Sequence, residues 1–193
     1  MKQIHPLTAL VLLFSLILLA ASCSQKTPVE ELKTWEEVLE EDLHLLGHRN
    51  WILVVDKAFP EQSSAGMKYI YVDQDLLPTL EQVLGALDKS THVLPIIYQD
   101  KELSFITEEQ VNGIEAFRSA AARTLDGRGV NTLLHDEVFS MLDESSSLFR
   151  VLVIKTSCTL PYTSVFLQLD CSYWGAENEK LLRESMSAGQ SSK

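Results

Sequence analysis

The chain has 193 residues, a length that suits one domain with a substantial core and is short for two. Apolar residues make up 46% of the chain and charged residues 22%, the balance of a globular protein. The formal net charge of −11 argues against a nucleic-acid partner, because Lys and Arg must meet the phosphate backbone of such a partner.

The first 22 residues have the pattern of a secretory signal peptide. Lys2 supplies a positive start, and residues 7–21 form an apolar run that is short for a spanning helix of about 20 residues. The run ends in LAASC, residues 19–23, which resembles a bacterial lipobox. That resemblance implies lipidation of Cys23 and a membrane-anchored place in the bacterial cell envelope, which is stable with two or more acyl chains. Ordinary signal cleavage that leaves a free thiol is the alternative.

A short polar tether at residues 23–28 leads into the first predicted helix. Thr27 and Glu30 have the spacing of a capping box, with a proline at the first helical position between them. Apolar residues then recur at helical spacing and predict a helix over residues 29–45.

Strands and helices alternate through the predicted domain, residues 29–176. We predict strands at 51–55, 68–73, 92–98, 149–156 and 164–169, and a short strand or loop at 131–134. We predict helices at 76–87, 107–125 and 135–142, the second opening at a capping box of Thr107 and Gln110. The alternation predicts an α/β fold, a single domain with a mixed or parallel sheet flanked by helices. Residues 177–193 are predicted to be a polar, frayed tail.

Two cysteines lie in the predicted domain, Cys158 and Cys171. An export compartment permits a disulfide between them. The residues between them have a strand pattern, which holds the two thiols far apart. We therefore predict free thiols rather than a bridge.

Sequence motifs for a cofactor or a metal are missing. The pair Gly127 and Gly129 lacks the strand-to-helix setting of a phosphate loop. The sequence contains neither zinc-ligand spacing nor a nucleophile elbow. Cys158 with a distant His is a weak nucleophile alternative, because no sequence feature lowers the pKa of its thiol. We therefore expect no cofactor and no metal.

Polar residues at strand ends are the candidates for chemistry. His48 precedes the first predicted strand, Asp56 ends it, and Tyr162 precedes the last one. Ligand sites of open α/β sheets lie at such strand ends. Meeting there, the three side chains would supply acid–base chemistry for an uncharged polar substrate. The structural alternatives are a helix cap for His48, a turn for Asp56 and a packed aromatic for Tyr162.

Three segments, in order along the chain, resemble the ribose pyranase and fucose mutarotase (RbsD/FucU) family. They are LGHRNWILVVDKAFP at residues 46–60, LLPTLEQVLGAL at 76–87 and SCTLPYTSVFLQ at 157–168. The resemblance spans nearly all of residues 32–174. It implies an RbsD-like fold and a cofactor-free enzyme that interconverts ring forms or anomers of a free monosaccharide. It also implies a ring-like homo-oligomer with sites between subunits.

The resemblance assigns roles to individual residues. His48 falls on the family's general acid and Tyr162 on its active-site Tyr. Asp56 falls on a sugar-binding carboxylate, and His135 near a sugar-contacting residue. Ser164 stands where the family has a sugar-binding Asn, so it is the expected substitute for that amide.

The chain departs from the family at Ser164 and also at Lys57, where Ala is usual. These departures leave three functional hypotheses beside each other. The first is a sugar mutarotase or pyranase that uses His48 and Tyr162 as acid and base. The second is a non-catalytic sugar-binding lipoprotein with the same fold. A third is a structural envelope lipoprotein whose pocket is empty.

Overall fold

A six-stranded mixed sheet organises residues 33–190, the part of the chain that this computed structural model describes, with side chains through residue 187. The strands are β1 (Trp51–Val55), β2 (Met67–Tyr71), β3 (Val93–Asp100), β4 (Val130–Leu133), β5 (Val151–Lys155) and β6 (Val165–Cys171). Their spatial order is β2-β5-β1-β6-β3-β4; strand β6 is antiparallel to β1 and β3, and the other neighbours are parallel. Five carboxyl ends and the amino end of β6 therefore share one edge.

Helices cover both faces of this sheet. They are α1 (Trp35–Leu43), α2 (Leu76–Lys89), α3 (Ile114–Thr124), α4 (His135–Leu148) and α5 (Ala176–Gln190), with a 3-10 turn at Lys101–Phe105. Alternate residues of β1 enter two cores: Ile52 and Val54 pack with α1, α2 and α3, whereas Leu53 packs with α4. All of β1 is buried, as expected of a strand covered on both faces. The predicted single α/β domain with a mixed sheet is confirmed.

The first helix begins later than predicted. Thr34 has the extended backbone of an N-cap (φ −68°, ψ 161°), so a continuous helix over residues 29–45 is wrong. Thr34 and Glu37 form the capping box, in which each side chain accepts a hydrogen bond from the other residue's backbone N–H. Thr27 and residues 29–32, where the predicted start lay, are outside the described residues.

The predicted helix at 107–125 also begins late, because α3 starts only at Ile114. The Gln110 side chain accepts a hydrogen bond from the backbone N–H of Thr107. This bond closes one isolated turn and does not start the helix. Gly113, with φ of 89°, interrupts the helical path. The Glu108 carboxylate then accepts bonds from the N–H groups of Gly113 and Glu115, and these bonds lower its pKa. The N-cap of α3 is therefore Gly113, six residues after Thr107, the predicted N-cap.

The chain after residue 176 is helical, so the prediction of a frayed tail from residue 177 is wrong for residues up to 190. Glu179 accepts hydrogen bonds from the Trp174 indole and from Arg183 one turn later, at 2.8 and 2.7 Å. Such i,i+4 pairs support a helix that is otherwise exposed. The short helix predicted at 135–142 likewise extends to Leu148 as α4.

Within the described residues both cysteines are free, as predicted, with Cys158 buried and Cys171 partly buried. Cys158 precedes β6 and Cys171 is its last residue, so the extended backbone of β6 separates the two thiols. In the same part of the chain, none of the helices has the length and apolar character needed to cross a membrane.

Two leucines of α4 test which face of that helix holds the fold together. Leu142 is fully buried and Leu148 is 78% exposed. Leu142→Ala should lower the free energy of unfolding by about 2–5 kcal/mol, because it leaves a cavity against the sheet. Leu148→Ala should change it by less than about 0.5 kcal/mol. Equal losses in urea denaturation would contradict the assigned orientation of α4.

Candidate functional site

The antiparallel insertion of β6 brings polar residues from three strand ends together. Val165, the first residue of β6, pairs with Val54 on one side and Gln99 on the other. Ser164 therefore lies between the end of β1, where Asp56 follows, and the end of β3, which is Asp100. Helix α4 begins at the neighbouring end of β4 and adds His135. We call Asp56, Asp100, His135, Tyr162 and Ser164 the strand-end cluster.

Asp56 is held in place by hydrogen bonds to both of its oxygens. The Ser164 hydroxyl donates to Oδ2 at 2.9 Å, and the backbone N–H of Ala58 donates to Oδ1 at 2.8 Å. The backbone N–H of Asp56 also lies 3.2 Å from the Ser164 oxygen. The turn that was the structural alternative for Asp56 is therefore present. The hydrogen bond between Asp56 and Ser164 is a pairing that the sequence did not predict.

Asp100 and His135 form a second pair in the cluster. The Nδ1 atom of His135 lies 3.1 Å from Oδ2 of Asp100, and the backbone N–H of His135 donates to both Glu102 oxygens at 3.1 Å. The Asp100 side chain is 1% exposed, and its Oδ1 has no hydrogen-bond partner among the described residues. Burial raises the pKa of Asp100 to about 6, against the opposing effect of His135. Asp100 thus carries an unused acceptor at the sheet edge.

Aromatic rings form one wall beside the cluster. The ring of Tyr162 meets the imidazole of His135 edge-on, with centroids 5.2 Å apart. Phe139 also packs against that imidazole, with centroids 4.7 Å apart, and stacks on Phe59 at 5.3 Å. Tyr162 has a left-handed backbone (φ 57°) and is 37% exposed, so it is only partly a packed aromatic. Such strained positions recur at ligand sites.

His48 lies at the opposite edge of the sheet, so the expectation that it meets Asp56 and Tyr162 is wrong within a single chain. A strand advances about 3.3 Å per residue, so the five residues of β1 hold His48 and Asp56 more than roughly 15 Å apart. The Nδ1 atom of His48 is instead 2.8 Å from Asp170 near the carboxyl end of β6. The His48 side chain is 59% exposed.

Sequence reasoning missed Asp100, Glu102 and Asp170. Asp100 ends a strand just as Asp56 does, so the rule that selected Asp56 applied equally to it. Asp170 carried no signal, because it lies inside β6 and only pairing with β1 brings it to His48. Among residues 33–190 no group of His, Cys, Asp or Glu side chains is arranged to hold a metal ion.

Comparisons with known proteins return solved structures only. No protein-family model and no curated protein matches the chain. Bacillus subtilis RbsD complexed with D-ribose is 18% identical, over 73% of this chain and 97% of that one, with a TM-score of 0.48. The fucose mutarotase of Streptococcus pneumoniae in complex with L-fucose is 16% identical, over 67% and 89%, with a TM-score of 0.47. Both identities are below 20% and both TM-scores are below 0.5, so the fold is assigned from the observed sheet and not from these matches.

The buried carboxyl of Asp100 makes stability depend on pH. Its pKa of about 6 exceeds the ordinary 3.8, so the folded state keeps a proton that the unfolded chain loses. Stability from this group is full below pH 3.8 and falls by up to about 3 kcal/mol as pH rises through 6. Asp100→Asn should remove that decline, as measured by urea denaturation from pH 4 to 8. The exposed Asp126→Asn should keep it; parallel curves for wild type and Asp100→Asn would refute the assignment.

Proposed function

We propose that the chain binds a free monosaccharide at the strand-end cluster and interconverts its ring forms or anomers without a cofactor. One observation carries the proposal: two hydrogen-bonded pairs, Asp56–Ser164 and Asp100–His135, sit at one sheet edge beside an aromatic wall. Hydroxyl groups of a sugar match carboxylate acceptors, and its apolar ring face matches aromatic side chains. The RbsD/FucU resemblance of residues 46–60 and 157–168 points to the same ligand class.

Ring opening of a hemiacetal needs two proton transfers. One group takes the proton of the anomeric hydroxyl, and another protonates the ring oxygen; reclosure on either face gives the new anomer. With Asp100 ionised, Nδ1–H of His135 donates to it and Nε2 is left as the base. Tyr162, in edge contact with His135, supplies the hydroxyl that relays the second proton. Asp56 orients sugar hydroxyls in this scheme.

His48 enters this proposal through a second copy of the chain. The RbsD/FucU resemblance implies a homo-oligomer with sites between subunits, and the exposed His48–Asp170 pair suits a contribution to a neighbour's site. Asp170 would then fix the orientation of the imidazole, as carboxylates do for catalytic histidines. We also propose the bacterial cell envelope as the location, with an anchor at Cys23, on the pattern of residues 1–23 alone.

The second candidate is a sugar-binding protein without catalysis. Ser164 favours it, because its side chain is 2% exposed and is engaged with Asp56 rather than open to a ligand. The site then lacks the amide that the RbsD/FucU pattern has at this position. Binding through the partly exposed Asp56 and Tyr162 would persist, but substrate placement for proton transfer would be poorer.

Saturation-transfer NMR on the chain with ribose, fucose and other monosaccharides tests the proposal. We expect faster exchange between the forms of one sugar, and a loss of about 10²- to 10⁴-fold in His135→Gln, the size of one general acid–base contribution. His48→Ala should lose activity similarly where sites are shared between copies.

Asp126→Asn is the control, because this exposed residue lies in the turn after α3, away from the cluster. Its exchange rate should equal that of wild type. A sugar that raises the melting temperature without faster exchange would establish the binding-protein reading instead. No thermal shift with any sugar tried would overturn both.

A further inference from the structure

An open groove runs between α1 and α2, remote from the strand-end cluster. Its volume is about 710 Å³, and apolar side chains dominate its lining. Trp35, Leu39 and Leu43 line it from α1, and Ala86 lines it from α2. The loop Ser90–His92 also lines it. We call this the α1–α2 groove.

A glycine forms part of the floor of the groove. Gly85 lies in the middle of the 14-residue helix α2, where glycine costs about 1 kcal/mol relative to alanine. A Cβ built at Gly85 would meet no atom of residues 33–190 within 4 Å, so packing among these residues does not require glycine there. A missing side chain next to Ala86 instead lets another backbone approach α2 closely. This feature favours a helix as the occupant.

Helix α5 offers an apolar stripe that no part of the described chain covers. Leu181, Leu182 and Met186 lie on one face of it and are 54%, 41% and 49% exposed. Exposed leucines and methionines grouped on one helix face mark an interaction surface. Within the part of the chain that the structure describes, both the apolar groove and the apolar helix face are therefore left uncovered.

Helix α5 starts close to the loop Ser90–His92, which lines the groove. The Ser172 backbone N–H donates to the His92 carbonyl at 3.2 Å, and the Ser172 hydroxyl donates to the Thr91 carbonyl at 2.7 Å. Only residues 173–175 separate this anchor from α5. Two copies that meet near this loop can therefore each reach the groove of the other with a short connection.

The charged side chains of α5 are complementary to those of the groove when the helix lies along the groove in one of its two possible directions. The α1 wall carries Glu36 and Glu40, and the α2 wall carries Lys89. On α5, Arg183, which is bonded to Glu179, lies to one side of the apolar stripe, and Glu184 lies to the other. One of the two directions along the groove places Arg183 beside the glutamates and Glu184 beside Lys89.

We propose that α5 of one copy docks in the α1–α2 groove of a second copy, and that the exchange is reciprocal about a two-fold axis. A helix of 15 residues is about 22 Å long. Two such contacts bury on the order of 1,000–2,000 Å², the range of stable protein interfaces. The identical surfaces used by both copies make the contact self-complementary and closed, as two-fold interfaces are.

Disulfide trapping in the full chain tests this arrangement. One chain carries Gly85→Cys and a differently tagged chain carries Leu182→Cys; the two are mixed under a mild oxidant and separated without reductant. We expect a disulfide between the two tags, at least tenfold more abundant than with Lys180→Cys in place of Leu182→Cys. Lys180 lies on the opposite side of α5 from the stripe, so it is the matched control.

Two outcomes overturn the proposal. Equal trapping by Leu182→Cys and Lys180→Cys, or none by either, means that the stripe does not enter the groove of a second copy. A chain carrying both Gly85→Cys and Leu182→Cys that closes only within itself means that α5 occupies its own groove.

Substitutions at Gly85 supply an independent measurement. In sedimentation velocity of the full chain, Gly85→Gln should weaken self-association at least tenfold, because its side chain fills the floor of the groove, and Gly85→Ala should weaken it less. Gly85→Gln should also raise the melting temperature of the dissociated chain by about 2–4 °C through helix propensity. Unchanged association in Gly85→Gln would refute the docking, since the melting temperature shows that the variant is folded.

Discussion

The pairing of β6 with both β1 and β3 is the interaction on which the rest of this structure depends. It joins two sets of parallel strands, β2-β5-β1 and β3-β4, into one sheet. Because β6 runs against its neighbours, its amino end meets their carboxyl ends. Ser164 is thereby inserted between Asp56 and the end of β3. A parallel strand in this place would have put its carboxyl end, with Asp170, there instead.

That same pairing buries a carboxyl at a cost. Asp100 loses its hydration at the end of β3 and regains one hydrogen bond, from His135. The pKa of Asp100 is raised because burial outweighs the attraction of the neighbouring imidazole. A group that destabilises its own fold at neutral pH and keeps an unused acceptor is expected where a ligand completes the bonding. Apolar packing of the two fully covered cores offsets that cost.

The two proposals concern separate surfaces of the molecule. The strand-end cluster lies at the sheet edge beside α4, whereas the α1–α2 groove lies between helices on the other face. The α1–α2 groove therefore uses no residue of the cluster. Helix α5 itself carries a polar surface with a narrow apolar stripe, which explains both its frayed appearance in the sequence and its suitability for docking.

Local signals were sufficient for the parts of the fold that depend on neighbours along the chain. The apolar run of β1, the boundaries of α2 and the alternation of strands with helices all follow from residue periodicity, and the structure has them. The capping-box motif does not by itself fix where a helix begins, because several residues have the required spacing. Thr34, not Thr27, caps α1. The Glu108 side chain caps α3 from the preceding loop.

Strand pairing determines which residues meet at the candidate site, and the periodicity of residues along the chain does not predict that pairing. From the sequence, Asp56, Tyr162, His135 and Ser164 were recognisable as candidates by position and by family resemblance. Their geometry was not, because any strand has two ends and the sequence does not say which ends of different strands meet. Register and the direction of β6 put His135 on Asp100 and His48 on Asp170, at opposite edges. Residue type thus came from the sequence, and proximity came only from the tertiary structure.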